Sequence, residues 1–384
     1  MRFMVHWANR NEWAIVDQRT IREPQMPTSH QNIVWILGAG FNRSLGGPLL
    51  KDLLRYYTET GVKRLHADLL ASGLKPEEKD RRESLIGDMA RVRQLFHDES
   101  KQGLWEDAEQ FLDYVETAAE EDEAEFNQEP SYAHLVLEDI AHRHGFDALP
   151  ALAFAARRAI VADCLMFLWG AQPNSEKWMP YREWSQHLGV NHSVVTFNYD
   201  MLPDLLAANA GRLLVSFPGG QDDKEKAKAE NKARVFKVHG SVDWGHDRER
   251  IFKATIPEAS LLWKTLDDFA IGVPGPQKSR LINGPLSAIW KEALACIRQA
   301  NIVVFVGYRF PPSDAQSRQG ILGAIRENKG PLRVLTVLGP TSQDSPRLNA
   351  LLGAALKPDE GFELTTLPLF AEDFLSLAWE MGLF

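Results

Sequence analysis

The chain has 384 residues, 44% hydrophobic and 25% charged, the balance of a globular protein large enough for two or three modules. Its net charge of -9 argues against broad, sequence-independent binding to a nucleic-acid backbone, so no direct nucleic-acid partner is expected. The only cysteines, Cys164 and Cys296, are far apart, which excludes a disulfide framework and a Cys-rich zinc module and predicts a reducing, cytoplasmic setting.

In residues 1–30, Phe3, Val5 and Trp7, then Trp13 and Ile15, flank an Ala-Asn-Arg-Asn turn, which predicts an N-terminal β-hairpin extension. A two-stranded ribbon is marginal alone, so it must lean on the main domain or on another subunit. Charges throughout this segment leave no apolar core for a signal peptide.

The run Ile33, Val34, Trp35, Ile36, Leu37 has the length and β-branched content of a parallel core strand. Gly38, Ala39 and Gly40 then turn the chain without bulk. Such a turn lets a nucleotide phosphate approach the backbone and meet the N–H groups of a following helix. The third glycine of a dinucleotide fingerprint is missing from its usual place, and a tight strand-to-helix turn can need glycine for geometry alone.

Residues 49–189 have helical period almost throughout, which predicts an all-helical module inserted after the first strand. The acidic run from Glu120 to Glu123 reads as a solvated helix end. The apolar stretch from Leu149 to Gly170 is interrupted by Arg157, Arg158 and Asp163, which predicts a buried helix and no membrane contact.

From Ser193 onward, short apolar strands (SVVTF, ARVFKVHG, NIVVFVGY, RVLTVL, FELTTL) alternate with helices. The run from Gln221 to Arg234 is too polar to pack and predicts a surface loop or hairpin tip. The expected fold class is therefore α/β. A Rossmann-like parallel sheet with helices on both faces is built from residues 31–48 and 190–384, around the inserted helical module.

Ligands bind such sheets at the carboxyl ends of the strands, near the switch point of strand order. Polar residues collect at those ends: Asn198, Tyr199 and Asp200; His239, Gly240 and Ser241; Gly307 to Asp314. Asn and Asp after a strand also serve as helix caps, and a His there also serves structure alone. Their coincidence predicts an amide, a carboxylate and an imidazole all facing Gly38 to Gly40, a site suited to a phosphorylated sugar.

The ordered motifs GAGF, TFNYD, KVHGSVDW and GYRFPPSD resemble the sirtuin superfamily, and more narrowly the NAD-hydrolysing sirtuin-like domains of prokaryotic antiphage defence systems. The resemblance covers Ile33 to about Pro48 and Ser193 to about Leu367. It implies that Gly38, Ala39, Gly40 and Phe41 line NAD+, with Asn42 and Thr196 beside them and Gly307, Tyr308 and Arg309 near the phosphate or adenosine half. Asn198 and Asp200 would hold the nicotinamide riboside, with His239 beside the ribose hydroxyls; Asn198 and His239 are the implied catalytic pair. Family members often carry Ser where this chain has Asn42. The deacylating branch holds a four-cysteine zinc that this chain cannot build, so the resemblance implies NAD+ hydrolysis without a metal rather than protein deacylation. A non-catalytic module binding NAD or ADP-ribose uses the same residues and stays open. A toxic NADase implies control, by homo-oligomerisation or by a separate regulatory protein such as a DNA-translocating ATPase, a short Argonaute or a nucleotide sensor.

Overall fold

Ile33–Leu37 forms strand β1, and every one of its residues is buried. Successive side chains of a strand point to opposite faces, and here both faces are covered: Ile33, Trp35 and Leu37 enter one apolar cluster, Val34 and Ile36 another. A continuous apolar run is what such a strand requires. The computed structural model describes residues 31–55, 65, 67, 74–123, 131–169, 171–220, 223–246, 250–254, 261–263, 269–311, 314–356 and 362–378. The hairpin expected in residues 1–30 lies outside them, as does most of the first helical segment after Asp52.

After short 3-10 turns at Arg43–Leu45 and Leu50–Asp52, the chain forms α1 (Pro76–Ser100), α2 (Ala108–Glu123), α3 (Tyr132–Arg143), α4 (Leu149–Met166) and α5 (Met179–His187). Proline in the first turn starts α1, α4 and α5, where its missing N–H would have no helical partner anyway. Ser131 starts α3 by accepting the His134 N–H at 3.2 Å. The charges that interrupt the apolar stretch of α4 are partnered inside the protein. Asp163 pairs with Arg93 at 2.7 Å, Arg157 with Glu116 at 2.7 Å, and Arg158 lies over the rings of Phe154 and Phe269. No helix among the described residues is long and apolar enough to cross a membrane.

The rest of the chain supplies β2 (His192–Thr196), α6 (Leu202–Ala210), β3 (Leu213–Ser216), α7 (Asp223–Ala229), β4 (Ala233–Lys237), β5 (Gly240–His246), β6 (Ile251–Lys253) and β7 (Phe269–Ile271). These are followed by α8 (Pro276–Asn283), α9 (Ser287–Arg298), β8 (Ile302–Val306), α10 (Ala315–Glu327), β9 (Arg333–Val337), α11 (Ser345–Ala355), β10 (Glu363–Leu367) and α12 (Ala371–Leu377). Seven strands make one sheet in the order β10-β9-β8-β1-β2-β4-β3, with every pairing parallel. The first strand belongs to the same sheet, as expected, and sits in its middle. The module α1–α5 packs with α6 and α12 on one face; α8 to α11 cover the other. Trp35 anchors the first face, edge-on to Trp184 at 5.4 Å.

The structure corrects the reading of Gln221 to Arg234 as a loop or hairpin tip. Residues Asp223–Ala229 are the helix α7, with Ala227 buried, and Arg234 lies in β4. Lys, Glu and Ala are good helix formers, and acidic residues in the first turn with lysines in the last suit the helix dipole, so one apolar contact suffices to hold this polar segment. The antiparallel sheet β6-β5-β7 is a further addition, because its three-residue edge strands are too short to show a period.

Candidate functional site

Register brings the strand ends together. Leu37 pairs with both Thr196 and Val306, so Gly38, Phe197 and Gly307 leave the sheet side by side. Strand order reverses between β1 and β8, which makes their carboxyl ends the switch point of the sheet.

The glycines there are occupied with one another. Gly38 N–H donates to Val306 O at 3.1 Å, and Gly40 N–H to Gly307 O at 3.2 Å. A Cβ on Gly38 would lie 2.6 Å from Tyr308 Cα, and one on Gly40 2.7 Å from Gly307 Cα; Gly307 itself has φ of 66°. The missing side chains are therefore required by the contact between the two turns. Within Gly38–Phe41, the Ala39 N–H is the amide with no hydrogen bond among the described residues.

Asn198 reaches this turn at Gly38, and Asp200 reaches Asn42 just after it. Asn198, half-buried, donates from Nδ2 to Gly38 O at 3.1 Å. Thr196 is buried and its hydroxyl accepts the Asn198 N–H at 3.2 Å, so it shapes the bend. Asp200 accepts from Asn42 Nδ2 at 2.6 Å and from the Leu202 N–H at 2.8 Å, where α6 begins. It thus starts a helix and holds the glycine loop at once. Burial pushes its carboxyl up to about 6, against the opposing pull of the Leu202 N–H and Lys237. Asn42 is buried, and its Oδ1 has no hydrogen-bond partner among the described residues.

Phe41 was expected to line a dinucleotide, but its ring points into the core. It is 2% exposed and meets Tyr181 at 5.2 Å and Trp184 at 5.2 Å edge-on. Tyr308 is likewise buried, its ring stacked on Phe197 at 4.1 Å. Arg309 is exposed and pairs with Asp344 at 3.2 Å.

The His239 imidazole, expected to face the glycine turn with the amide and the carboxylate, has its polar partners elsewhere among the described residues, at Ser317 and Asp314. Side chains alternate along the segment after β2: Asn198 and Asp200 go to the glycine loop, while Phe197 and Tyr199 go to His239, with ring centroids at 4.8 and 6.3 Å. Trp290 packs on the imidazole from α9 at 6.3 Å. His239 Nε2 lies 3.2 Å from Ser317 Oγ and 3.5 Å from Asp314 Oδ2. Asp314 in turn meets Lys278 Nζ at 3.0 Å and the Tyr308 hydroxyl at 3.2 Å. Burial, helped by the Lys278 charge, outweighs the upward pull of Asp314 and lowers the His239 pKa from its ordinary value, which favours the neutral ring. Burial pushes the Asp314 carboxyl up, but its contacts with His239, Lys278 and Ser317 outweigh that and hold it far below the ordinary range.

Lys278, Trp290 and Ser317 were absent from the sequence reading. Lys278 follows a three-residue strand with no visible period, and Trp290 and Ser317 sit at ordinary helical positions. The arrangement offers a backbone amide without a hydrogen-bond partner among the described residues, a half-buried side-chain amide and an imidazole at the carboxyl edge of a parallel sheet. No protein-family profile matches the chain, and a search of curated proteins returns no match.

Proposed function

We propose that the carboxyl edge around β1, β2, β4 and β8 binds NAD+ and hydrolyses its N-glycosidic bond, giving nicotinamide and ADP-ribose. The observation that carries this reading is the convergence of Asn198, through Gly38, and Asp200, through Asn42, on the glycine loop at the switch point, with the His239 imidazole packed behind the same segment. The cationic nicotinamide ring leaves as a neutral amide, so the protein has little leaving-group acid catalysis to supply. It has to orient the ribose and a water and to accept one proton. Asn198 has the amide for the first task, and His239 has the lone pair for the second. The ordered motifs support the same reading through their resemblance to the sirtuin-like NADases of antiphage defence. In this proposal the chain is a cytoplasmic toxic effector, held in check by oligomerisation or by a separate regulatory protein.

A specific observation favours a second reading, a module that binds NAD or ADP-ribose without cleaving it. His239 is 5% exposed, and among the described residues its polar partners are Ser317 and Asp314 rather than the glycine turn. One experiment separates the two. Purified protein is incubated with NAD+, with and without the protein encoded beside it, and nicotinamide release is followed for wild type, Asn198→Ala and His239→Ala. Release by wild type alone among the three supports hydrolysis. Equal release by all three, or none from wild type while calorimetry detects intact bound NAD+, rejects it.

A further inference from the structure

Asp314 occupies the residue just before α10, the position where an aspartate ordinarily accepts an N–H of its own helix, and it makes no such capping bond. The carboxylate is turned the other way, 2% exposed, toward His239, Lys278 and Tyr308. An N-terminal carboxylate that forgoes its cap gives up a stabilising bond, and here the carboxylate instead meets the His239 imidazole, the Lys278 ammonium and the Tyr308 hydroxyl. Ser317, one turn into α10, adds its hydroxyl to the same ring nitrogen.

The geometry points to Asp314 as the positioning residue that fixes the tautomer of His239. A carboxylate is an acceptor only, so the imidazole nitrogen facing it must carry the hydrogen. Nε2 is then the N–H nitrogen, and Nδ1 carries the lone pair. Among the described residues no hydrogen bond engages Nδ1. The groups facing the ring are Asp314 and Ser317 from the start of α10, Lys278 from α8, Tyr199 from the loop after β2, and the Phe197 and Trp290 rings. Lys278 balances the carboxylate, so the pair holds the ring without adding net charge.

This assignment rests on the proposed hydrolysis for its chemical use, though not for its geometry. In that reaction the bond from ribose C1′ to the nicotinamide nitrogen breaks and its electron pair neutralises the ring cation. A water oxygen bonds to C1′, and the water proton passes to Nδ1. Asp314 then stabilises the imidazolium through Nε2–H.

The test uses full-length protein carrying 15N-labelled histidine, with the His239 signals identified by their loss in His239→Gln. At pH 7.5 and without NAD+, wild type should show the Nε2–H tautomer, and Asp314→Asn should lose that fixed signature, whereas Ser317→Ala should keep it. Where wild type turns over NAD+, Asp314→Asn should lower kcat by roughly 100-fold or more with KM changed less than about threefold. Its pH-rate profile should also lose the acidic limb that wild type shows. An Nδ1–H tautomer in wild type overturns the assignment whether or not any variant folds, and so does an unchanged signature in Asp314→Asn. If the tautomer results hold and wild type releases no nicotinamide, the hydrolysis reading fails and the Asp314–His239 assignment stands.

Discussion

The Asn42 side-chain amide donates to the Asp200 carboxylate at 2.6 Å, joining the glycine loop after β1 to the start of α6 across 158 residues of sequence. The bond is buried at both ends, so the charge state of Asp200 bears on the stability of the whole switch point.

Asp200 titrates near 6 in the folded protein, against about 3.9 for an unfolded aspartate. Between those values the folded state holds the proton that the unfolded state has released, so stability falls as pH rises from about 4 to about 6, and the cost persists above. Asp200→Asn removes this dependence. Relative to the variant, wild type should lose about 1–1.5 kcal/mol between pH 5 and pH 8 in urea unfolding. Parallel stability curves for the two proteins would rule the account out.

Gly307 and Gly323 make a matched pair. Gly307→Ala drives a methyl to 2.5 Å from the Gly40 backbone at a φ of 66°, whereas a Cβ on Gly323 in α10 meets nothing within 4 Å. The first should destabilise by about 3 kcal/mol or more, and the second should stabilise by about 0.5–1 kcal/mol. Chemical unfolding of both variants checks the ordering.

Lys237 is fully buried and bonds the Asp204 carboxylate at 3.0 Å and the Ser241 hydroxyl. Lys253 reaches the other Asp204 oxygen at 3.1 Å and Asp243 at 3.3 Å, but its side chain is 48% exposed. Lys237→Ala leaves buried carboxylate without its inner partner and should cost about 3–5 kcal/mol. Lys253→Ala should cost about 1 kcal/mol or less, because water replaces much of what it supplies. Similar costs for the two would show that burial does not govern this network.

Phe310 is a buried residue held at φ of 51°, a left-handed conformation unfavourable for a bulky side chain. Arg347 donates to its carbonyl at 3.0 Å and to that of Arg309 at 2.5 Å. Arg347→Ala should destabilise by about 1–3 kcal/mol and raise amide exchange at residues 308–310. Arg347→Lys should not rescue it, since one ammonium lacks the planar fork that spans two carbonyls. Full rescue by lysine would mean that charge alone matters there.

The central sheet was readable because its strands are continuous apolar runs, a pattern that both-face burial imposes on Ile33–Leu37 and Ile302–Val306 alike. Strand-end polarity likewise marked Asn198, Asp200 and His239. What it could not carry was direction: Phe197 and Tyr199 turn one way and Asn198 and Asp200 the other, and the imidazole has its polar partners at Ser317 and Asp314. Nor could spacing distinguish a capping aspartate from a non-capping one. Asp200 bonds the first N–H of its helix, whereas Asp314, in an equally cap-like position, does not. Lys278 reaches Asp314 from a helix that follows a short antiparallel strand, a contact made entirely by tertiary packing.

The placement of β1 at the middle of the sheet has a consequence for the protein while it is still being made. Its neighbour on one side, the segment carrying Asn198, lies 160 residues after Gly38. At about 5–20 residues per second, the ribosome needs roughly 8–30 s to supply it. During that interval an apolar five-residue strand leaves the exit tunnel with neither lateral partner yet synthesised. The helices that emerge next, α1 to α5, contribute to the same apolar cluster as Ile33, Trp35 and Leu37, so they can shelter one side of the strand before any sheet exists. The inserted module would thus act as the nascent chain's own chaperone.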